Sequence, residues 1–169
     1  MGTSSPAPAI PIAAPADSLP AGLPQVLDTV WGALARGVQE RWTPWALPML
    51  ATVRSRGQPE ARVIALRGAD REARTLTFHT DVRSAKAGAL AAERRAAVTF
   101  WDPGDAVEAR FTGRVTVHHE DDLALACWQD ASALSKSAAA IALAPGTPLT
   151  RATPFEQLVQ EGSPDMAFS

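Results

Sequence analysis

From Val107 to His118 the chain alternates without a break. Val107, Ala109, Phe111, Gly113, Val115 and Val117 stand on one parity, and Glu108, Arg110, Thr112, Arg114, Thr116 and His118 on the other. Successive side chains of a strand point to opposite faces, so this period predicts an antiparallel strand with one buried face and one wet face. At about 3.3 Å per residue the run would reach roughly 40 Å, long for a strand. It is therefore expected to bend around a barrel, with Gly113 as the site of the bend.

The rest of the chain supplies elements to pair with it. Residues 1–23 gather Pro6, Pro8, Pro11, Pro15 and Pro20 among Ala and Ser, which predicts a disordered arm. Residues 24–147 read as one domain, and residues 148–169 as a C-terminal tail with a short amphipathic stretch around Phe155, Leu158 and Val159. Val26, Leu27, Val30, Trp31, Leu34 and Val38 recur at helical spacing, predicting an amphipathic helix from about Leu23 to Trp42 despite Gly32 and Gly37. Pro44 and Pro48 prevent its continuation.

Leu47 to Arg54 and Glu60 to Arg67 read as a hairpin around the turn Ser55-Arg56-Gly57-Gln58-Pro59. Gly68 to Arg74 reads as a polar loop, and Arg74 to Thr80 as a third strand. Ser84 is the expected N-cap of a helix to about Arg95, followed by a strand from Ala96 to Trp101 and a turn at Asp102-Pro103-Gly104-Asp105. Glu120, Asp121 and Asp122 put acid in the first turn of a helix carrying Leu123, Ala126, Cys127 and Trp128. A further helical piece from Ala133 to Leu143 ends at Ala144-Pro145-Gly146.

Several function classes are disfavoured. A chain of 169 residues suits one domain, and 16 basic against 18 acidic residues imply no general attraction to nucleic acid or anionic membrane. The single cysteine, Cys127, rules out an intramolecular disulfide framework; on the apolar side of its helix it is expected to be buried and inert. No apolar run nears the ~20 residues of a membrane span, and no secretory signal opens the chain, so a cytoplasmic location is expected. His118 and His119, beside Glu120 and Asp121, point to opposite strand faces, and no metal site is expected. The glycine-rich loops of dinucleotide and nucleoside-triphosphate folds are missing, as is the nucleophile elbow. Trp31, Trp42, Trp45, Trp101 and Trp128 read as core or interface anchors.

One cluster points to chemistry. Arg83 and Lys86 flank Ser84 at a helix start, where the helix dipole disfavours cations. An anion among them, most simply a phosphate, would account for that placement. Arg62 and Arg67 lie on a nearby strand, although each basic residue taken alone also reads as a solvated surface charge. The odd separation of Arg62 and Arg67 sets them on opposite strand faces unless the strand twists, bulges or ends between them. His79 and Thr80 close the strand before the basic turn, where a lone histidine reads first as a strand-end hydrogen-bonding residue.

Four segments in register, Arg62-Val-Ile-Ala-Leu-Arg67, Phe78-His-Thr-Asp-Val-Arg-Ser-Ala-Lys86, Phe100-Trp-Asp-Pro103 and Glu108-Ala-Arg-Phe-Thr-Gly113, resemble the pyridoxamine 5′-phosphate oxidase-like FMN-binding split-barrel family. The resemblance spans roughly residues 25–147 and is nearest to the pyridoxamine 5′-phosphate oxidase-related FMN-binding subgroup. It implies a mainly β fold with flanking helices (α+β): an antiparallel six-stranded split barrel, paired as a homodimer with FMN in the groove between subunits. It also implies that Arg62 and Lys86 hold the FMN phosphate with Ser84 nearby, that Val63 and Ile64 lend backbone beside the flavin, and that His79 and Thr80 contact it. Arg67 stands where the oxidase has a lysine for the substrate phosphate, and Glu108 where the family has a glutamine on the flavin ring.

Departures from the pattern bear on function. Ala85 replaces a phosphate-binding arginine, and an ionised Glu108 cannot donate to the flavin as an amide would. Ser137 and Ala140 stand where the subgroup tends to have Arg and Tyr. The family continues into a last strand and a basic motif past the point where this chain stops, which leaves a truncated product or a reduced closure of the barrel as alternatives. The resemblance implies an FMN-dependent oxidoreductase with its substrate and catalytic acid or base unassigned. The alternatives are a non-catalytic split-barrel module that has lost flavin chemistry or holds haem or a deazaflavin, and a plain structural barrel.

Overall fold

The computed structural model describes residues 22–141 and 143–148, excluding the Leu134 side chain. The expected proline-rich arm and nearly all of the tail, including Phe155, Leu158 and Val159, lie outside them. Helix α1, Leu23–Gln39, buries Ala33, Leu34 and Gly37 and ends short of the expected Trp42. Gly37, an apparent flaw in a helix, is required by packing: a Cβ there would lie 2.4 Å from the Trp45 carbonyl oxygen. The short 3-10 turn Pro44–Ala46 therefore sits directly on the helix.

A four-stranded antiparallel sheet follows, built from β1 (Met49–Val53), β2 (Pro59–Val63), β5 (Arg95–Asp102) and β6 (Val107–Arg114) in the order β2-β1-β5-β6. Strands β3 (Leu66–Asp70) and β4 (Thr75–Phe78) form a separate hairpin. The fold is thus a mixed α+β arrangement of antiparallel sheets with flanking helices, as expected. The inward parity of the larger sheet carries Leu50, Val98, Phe100 and Ala109 into a core completed by Leu34, Trp45, Ile64 and Leu66. Phe100 is fully buried, stacked on Trp45 at 5.5 Å and met edge-on by Phe111 at 5.8 Å. The outward parity leaves Met49, Val53, Val63 and Trp101 exposed.

Three expectations about the strands need correction. The segment from Glu60 to Arg67 is not one strand: β2 stops at Val63, Ile64 donates its N–H to the Pro48 carbonyl at 2.9 Å, and β3 begins at Leu66 in the other sheet. Three of the seven residues of the expected polar loop from Gly68 to Arg74 are strand, because Ala69 packs on the core from a backbone whose Gly68 and Asp70 look like turn residues. The strand expected to run from Val107 to His118 ends earlier, at Arg114. Gly113 pairs with Ala96 and Arg114 with Arg95, the first residue of β5, and beyond them one backbone bond, Val115 N–H to the Arg94 carbonyl at 2.7 Å, closes the pair.

Three helices flank the sheets: α2 (Ala85–Ala92), α3 (Asp122–Asp130) and α4 (Ala133–Ala139). Each is N-capped as the short polar side chains predict, Ser84 accepting from Ala87 N–H, Asp121 from Ala124 and Ser132 from Ser135. Helix α2 stops before the expected Arg95 because that residue starts β5, and α4 stops short of Leu143. Cys127 is half-buried rather than fully buried. Trp31 and Trp45 anchor the core, whereas Trp42 is 90% exposed and Trp101 51%. Among the described residues no helix is long and apolar enough to cross a membrane.

Candidate functional site

The sequence-marked cations divide into two places. The break at Ile64 and Ala65 and a register shift in the β3–β4 hairpin between Leu66 and Gly68 separate Arg62 from Arg67. A bulge gives one strand an extra residue and re-aims its side chain. Arg67 is that residue, and it turns away from the β2 face that carries Arg62.

Arg62 lies on the inward parity of β2, paired in register with Leu50. Its Nη1 donates to Thr52 Oγ1 at 2.7 Å and to the Leu50 carbonyl at 3.4 Å, and its Nη2 to Glu60 Oε2 at 2.6 Å. Thr52 is buried, so its hydroxyl fixes the guanidinium against β1. A guanidinium has five donors; Nε–H and the second Nη2–H stay unspent among the described residues. Lys86, in the first turn of α2, is half-buried, and no acceptor bonds its ammonium among the described residues. Burial, and after it the Arg62 charge, push its pKa down, while Asp81 and Glu60 pull the other way.

Ser84 is buried at the start of the same helix, and its Oγ accepts from Ala87 N–H at 3.4 Å, leaving the hydroxyl proton to donate. Arg83 does not join the cluster; it is exposed, as a surface charge would be, but it is also paired. It grips Asp81 through Nε and Nη2 and donates to the Ile141 carbonyl at 2.8 Å, tying the chain after α4 to the entrance of α2. The hydrogen bond with Asp81 raises its pKa.

The second place is a cavity of about 210 Å³ lined by Arg41, Arg67, His79, Ser132 and Ser135, with Val38, Asp130 and Ala131 completing the wall. The guanidinium of Arg67 donates to the Leu66 carbonyl at 3.2 Å. Burial and then Arg41 lower the Arg67 pKa, and burial followed by Arg67 lowers that of His79. No carboxylate lies within ion-pair distance of Arg41 or Arg67 among the described residues. Next to His79, the Thr80 hydroxyl is buried with no hydrogen-bond partner. A buried unpaired hydroxyl is costly, and this one has its hydrogen-bonding capacity unspent.

The remaining expected residues lie apart. Val63 is exposed on the outward parity of β2, while Ile64 is buried in the core. Glu108 lies opposite Trp101 on the outward face of β6, half-exposed, with Oε1 3.4 Å from Arg110 Nε. Within one protomer it is on the other face, and at the other edge, of the sheet from Arg62. Among the described residues no three metal-ligating side chains converge; His118 Nδ1 and Asp121 Oδ2 pair at 2.8 Å.

The sequence did not mark Glu60, Thr52, Arg41, Ser132 or Ser135. Thr52 and Glu60 share the inward parity of Arg62 once the register Thr52↔Glu60 and Leu50↔Arg62 is known, but Arg41 carried no local signal.

The family model for the pyridoxamine 5′-phosphate oxidase FMN-binding domain matches residues 29–119. A pyridoxine/pyridoxamine 5′-phosphate oxidase of Pseudomonas putida is 37% identical over 94 residues, covering 56% of this chain and 43% of the relative. One from Pseudomonas syringae pv. tomato is 46% identical over 66 residues, covering 39% of this chain and 30% of the relative. The chain thus spans less than half of these curated relatives. Among solved structures, a pyridoxamine 5′-phosphate oxidase-related FMN-binding protein from Nostoc punctiforme superimposes with a TM-score of 0.68 at 25% identity, over 83% of this chain and 76% of that one. PhzG of Burkholderia lata, in complex with tetrahydrophenazine-1-carboxylic acid, shares the fold with a TM-score of 0.58 at 21% identity, over 84% of this chain and 65% of that one.

Proposed function

The chain belongs to the pyridoxamine 5′-phosphate oxidase FMN-binding domain family, and from that premise we propose that it is an FMN-dependent oxidoreductase acting on a small anionic substrate. Residues 24–147 form its flavin domain in this reading. The observation that carries it is the pairing of Arg62 and Lys86, two cations from different elements that converge beside the buried Ser84 hydroxyl with donors unspent. A phosphomonoester carries close to two negative charges at neutral pH and offers oxygens to several donors. The cradle matches that demand, and the orphaned Thr80 hydroxyl supplies a donor or acceptor further along the same ligand.

Bound FMN would supply hydride or electron transfer. The chain's own residues do the rest. Arg62, Ser84 and Lys86 bind the phosphate, and Thr80 orients the adjoining part of the cofactor. Arg67, with Arg41 beside it in the cavity, holds the anionic end of the substrate. His79 stays neutral near pH 7 because burial and Arg67 oppose its protonation, so it hydrogen-bonds without adding a third charge. The exposed outward row of Met49, Val53, Val63 and Trp101 fits a second copy of the chain, which would cover it.

Purification followed by an absorbance scan and FMN titration tests the reading. A protein that emerges without a flavin spectrum, and fails to take up FMN at about micromolar concentration, sinks it.

A second reading, a split-barrel module that holds flavin without turnover, is favoured by Glu108. Its carboxylate is paired with Arg110 and offers no hydrogen to a flavin ring. Flavin-loaded protein inert toward reduced nicotinamide cofactors and pyridoxamine phosphate would support it.

A further inference from the structure

Arg62 and Lys86 are like charges in a half-buried setting, and burial and then the Arg62 charge make Lys86 harder to keep charged. Two carboxylates offset them. Asp81 is committed to Arg83, whose guanidinium also holds the Ile141 carbonyl, so moving it would release the chain after α4. Glu60 is tied to nothing of that kind. Two residues before Arg62 on β2, it projects on the same parity, opposite Thr52. Its Oε2 lies 2.6 Å from Arg62 Nη2 and its Oε1 3.8 Å from Arg54 Nη1. The carboxylate thus stands between a mostly buried arginine, 21% exposed, and one that is 47% exposed.

We propose that Glu60 is the resident counter-anion of the phosphate cradle, a residue that holds the Arg62 guanidinium when no ligand is bound and moves to Arg54 when phosphate arrives. The proposal rests on the cradle assigned above to Arg62, Ser84 and Lys86. A phosphate taking the unspent Arg62 donors puts its oxygens around the same guanidinium that Glu60 occupies, and like charges at that range repel. Arg54 is already the second-nearest cation, so the exchange needs only side-chain torsions and leaves the β1–β2 ladder intact. Thr52 and the Leu50 carbonyl keep Arg62 in place through Nη1 when Glu60 leaves. Glu60 therefore sets the affinity of the cradle for phosphate and favours ligands with enough negative charge to displace it.

The test compares FMN with riboflavin, which lacks the phosphate, on wild-type protein and the E60Q variant. Gln keeps the shape and one acceptor for Arg62 but carries no charge. E60Q should bind FMN about threefold to tenfold more tightly, bind riboflavin as the wild type does, and melt at a lower temperature without ligand. An R54A variant, which removes the refuge, should bind FMN more weakly than wild type. Equal or weaker FMN binding by E60Q overturns the proposal, as does an equal change for FMN and riboflavin, which would mark a merely structural role. If neither protein binds FMN, the flavin reading fails on its own account. The thermal shift of the ligand-free proteins with inorganic phosphate then decides: a larger shift in E60Q supports the counter-anion role, and no difference overturns it.

Discussion

Arg62 and Arg67 leave the same short stretch of chain and end in opposite electrostatic circumstances. Arg62 is clamped by a buried hydroxyl, a carbonyl and a carboxylate, and it shares Glu60 with Lys86, which Asp81 also offsets. Arg67 faces Arg41 and a neutral-leaning His79 across a cavity, with no ion-paired acid among the described residues. A cation with resident counter-charge and fixed donors is an anchor, ready for a ligand that stays bound. Two cations that share a cavity without an ion-paired carboxylate gain most from a transient anion. The contrast suits the roles proposed above, the FMN phosphate at Arg62 and the anionic substrate end at Arg67.

The largest expected effect breaks the anchor. An R62A/K86A double variant loses two charge-assisted contacts of roughly 1.5–3 kcal/mol each, so FMN affinity should fall about 100-fold or more. Circular dichroism should show the fold retained, because neither side chain belongs to the apolar core. If FMN titration gives wild-type affinity, the two regions do not differ as described.

Arg67→Ala should leave flavin content unchanged and raise KM for an anionic substrate about tenfold, with kcat little altered, as expected for loss of uniform binding. A loss of flavin instead would merge the two regions into one site.

Thr80→Val tests the boundary between them with effects of opposite sign. Removing an unpaired buried hydroxyl should stabilise the ligand-free protein by about 1 kcal/mol, read as a raised denaturation midpoint. The same change should weaken FMN a few-fold. A variant less stable than wild type without ligand would show that the hydroxyl has a partner in solution.

The smallest effect is in pH. The folded pKa of His79 lies below the ordinary 6.5. As pH falls through about 6.5, the unfolded chain takes the proton before the folded one, and stability declines until the folded pKa is passed. Above that window His79 contributes no slope. Arg41, Arg67 and Asp130 line the same cavity, and His79→Gln should flatten denaturation midpoints measured between pH 7 and 5.5. An unchanged slope would remove His79 from the cavity's electrostatics. Half-exposure keeps the effect small through solvent screening.

What could be read without coordinates follows from period and caps. The alternation from Val107 identified β6 and its buried face, and Ser84 marked the start of α2, because both signals are local. The strand after Leu66 was hidden behind Gly68 and Asp70, and the alternation ran on to His118 where the ladder stops at Arg114. Gly37 gave no hint of the Trp45 carbonyl that excludes any side chain there.

Sequence by itself determined the family, the antiparallel class and the residue types available to bind an anion, since periodicity, capping and motif order belong to neighbouring positions. Only the tertiary structure decided which cations meet. A strand break and a bulge, each set by pairing with a distant partner, turned Arg62 toward Thr52 and Lys86, and Arg67 toward Arg41 and His79. Register is a property of two strands, and a charge's environment is a property of everything packed around it. Neither is written in the residues beside it.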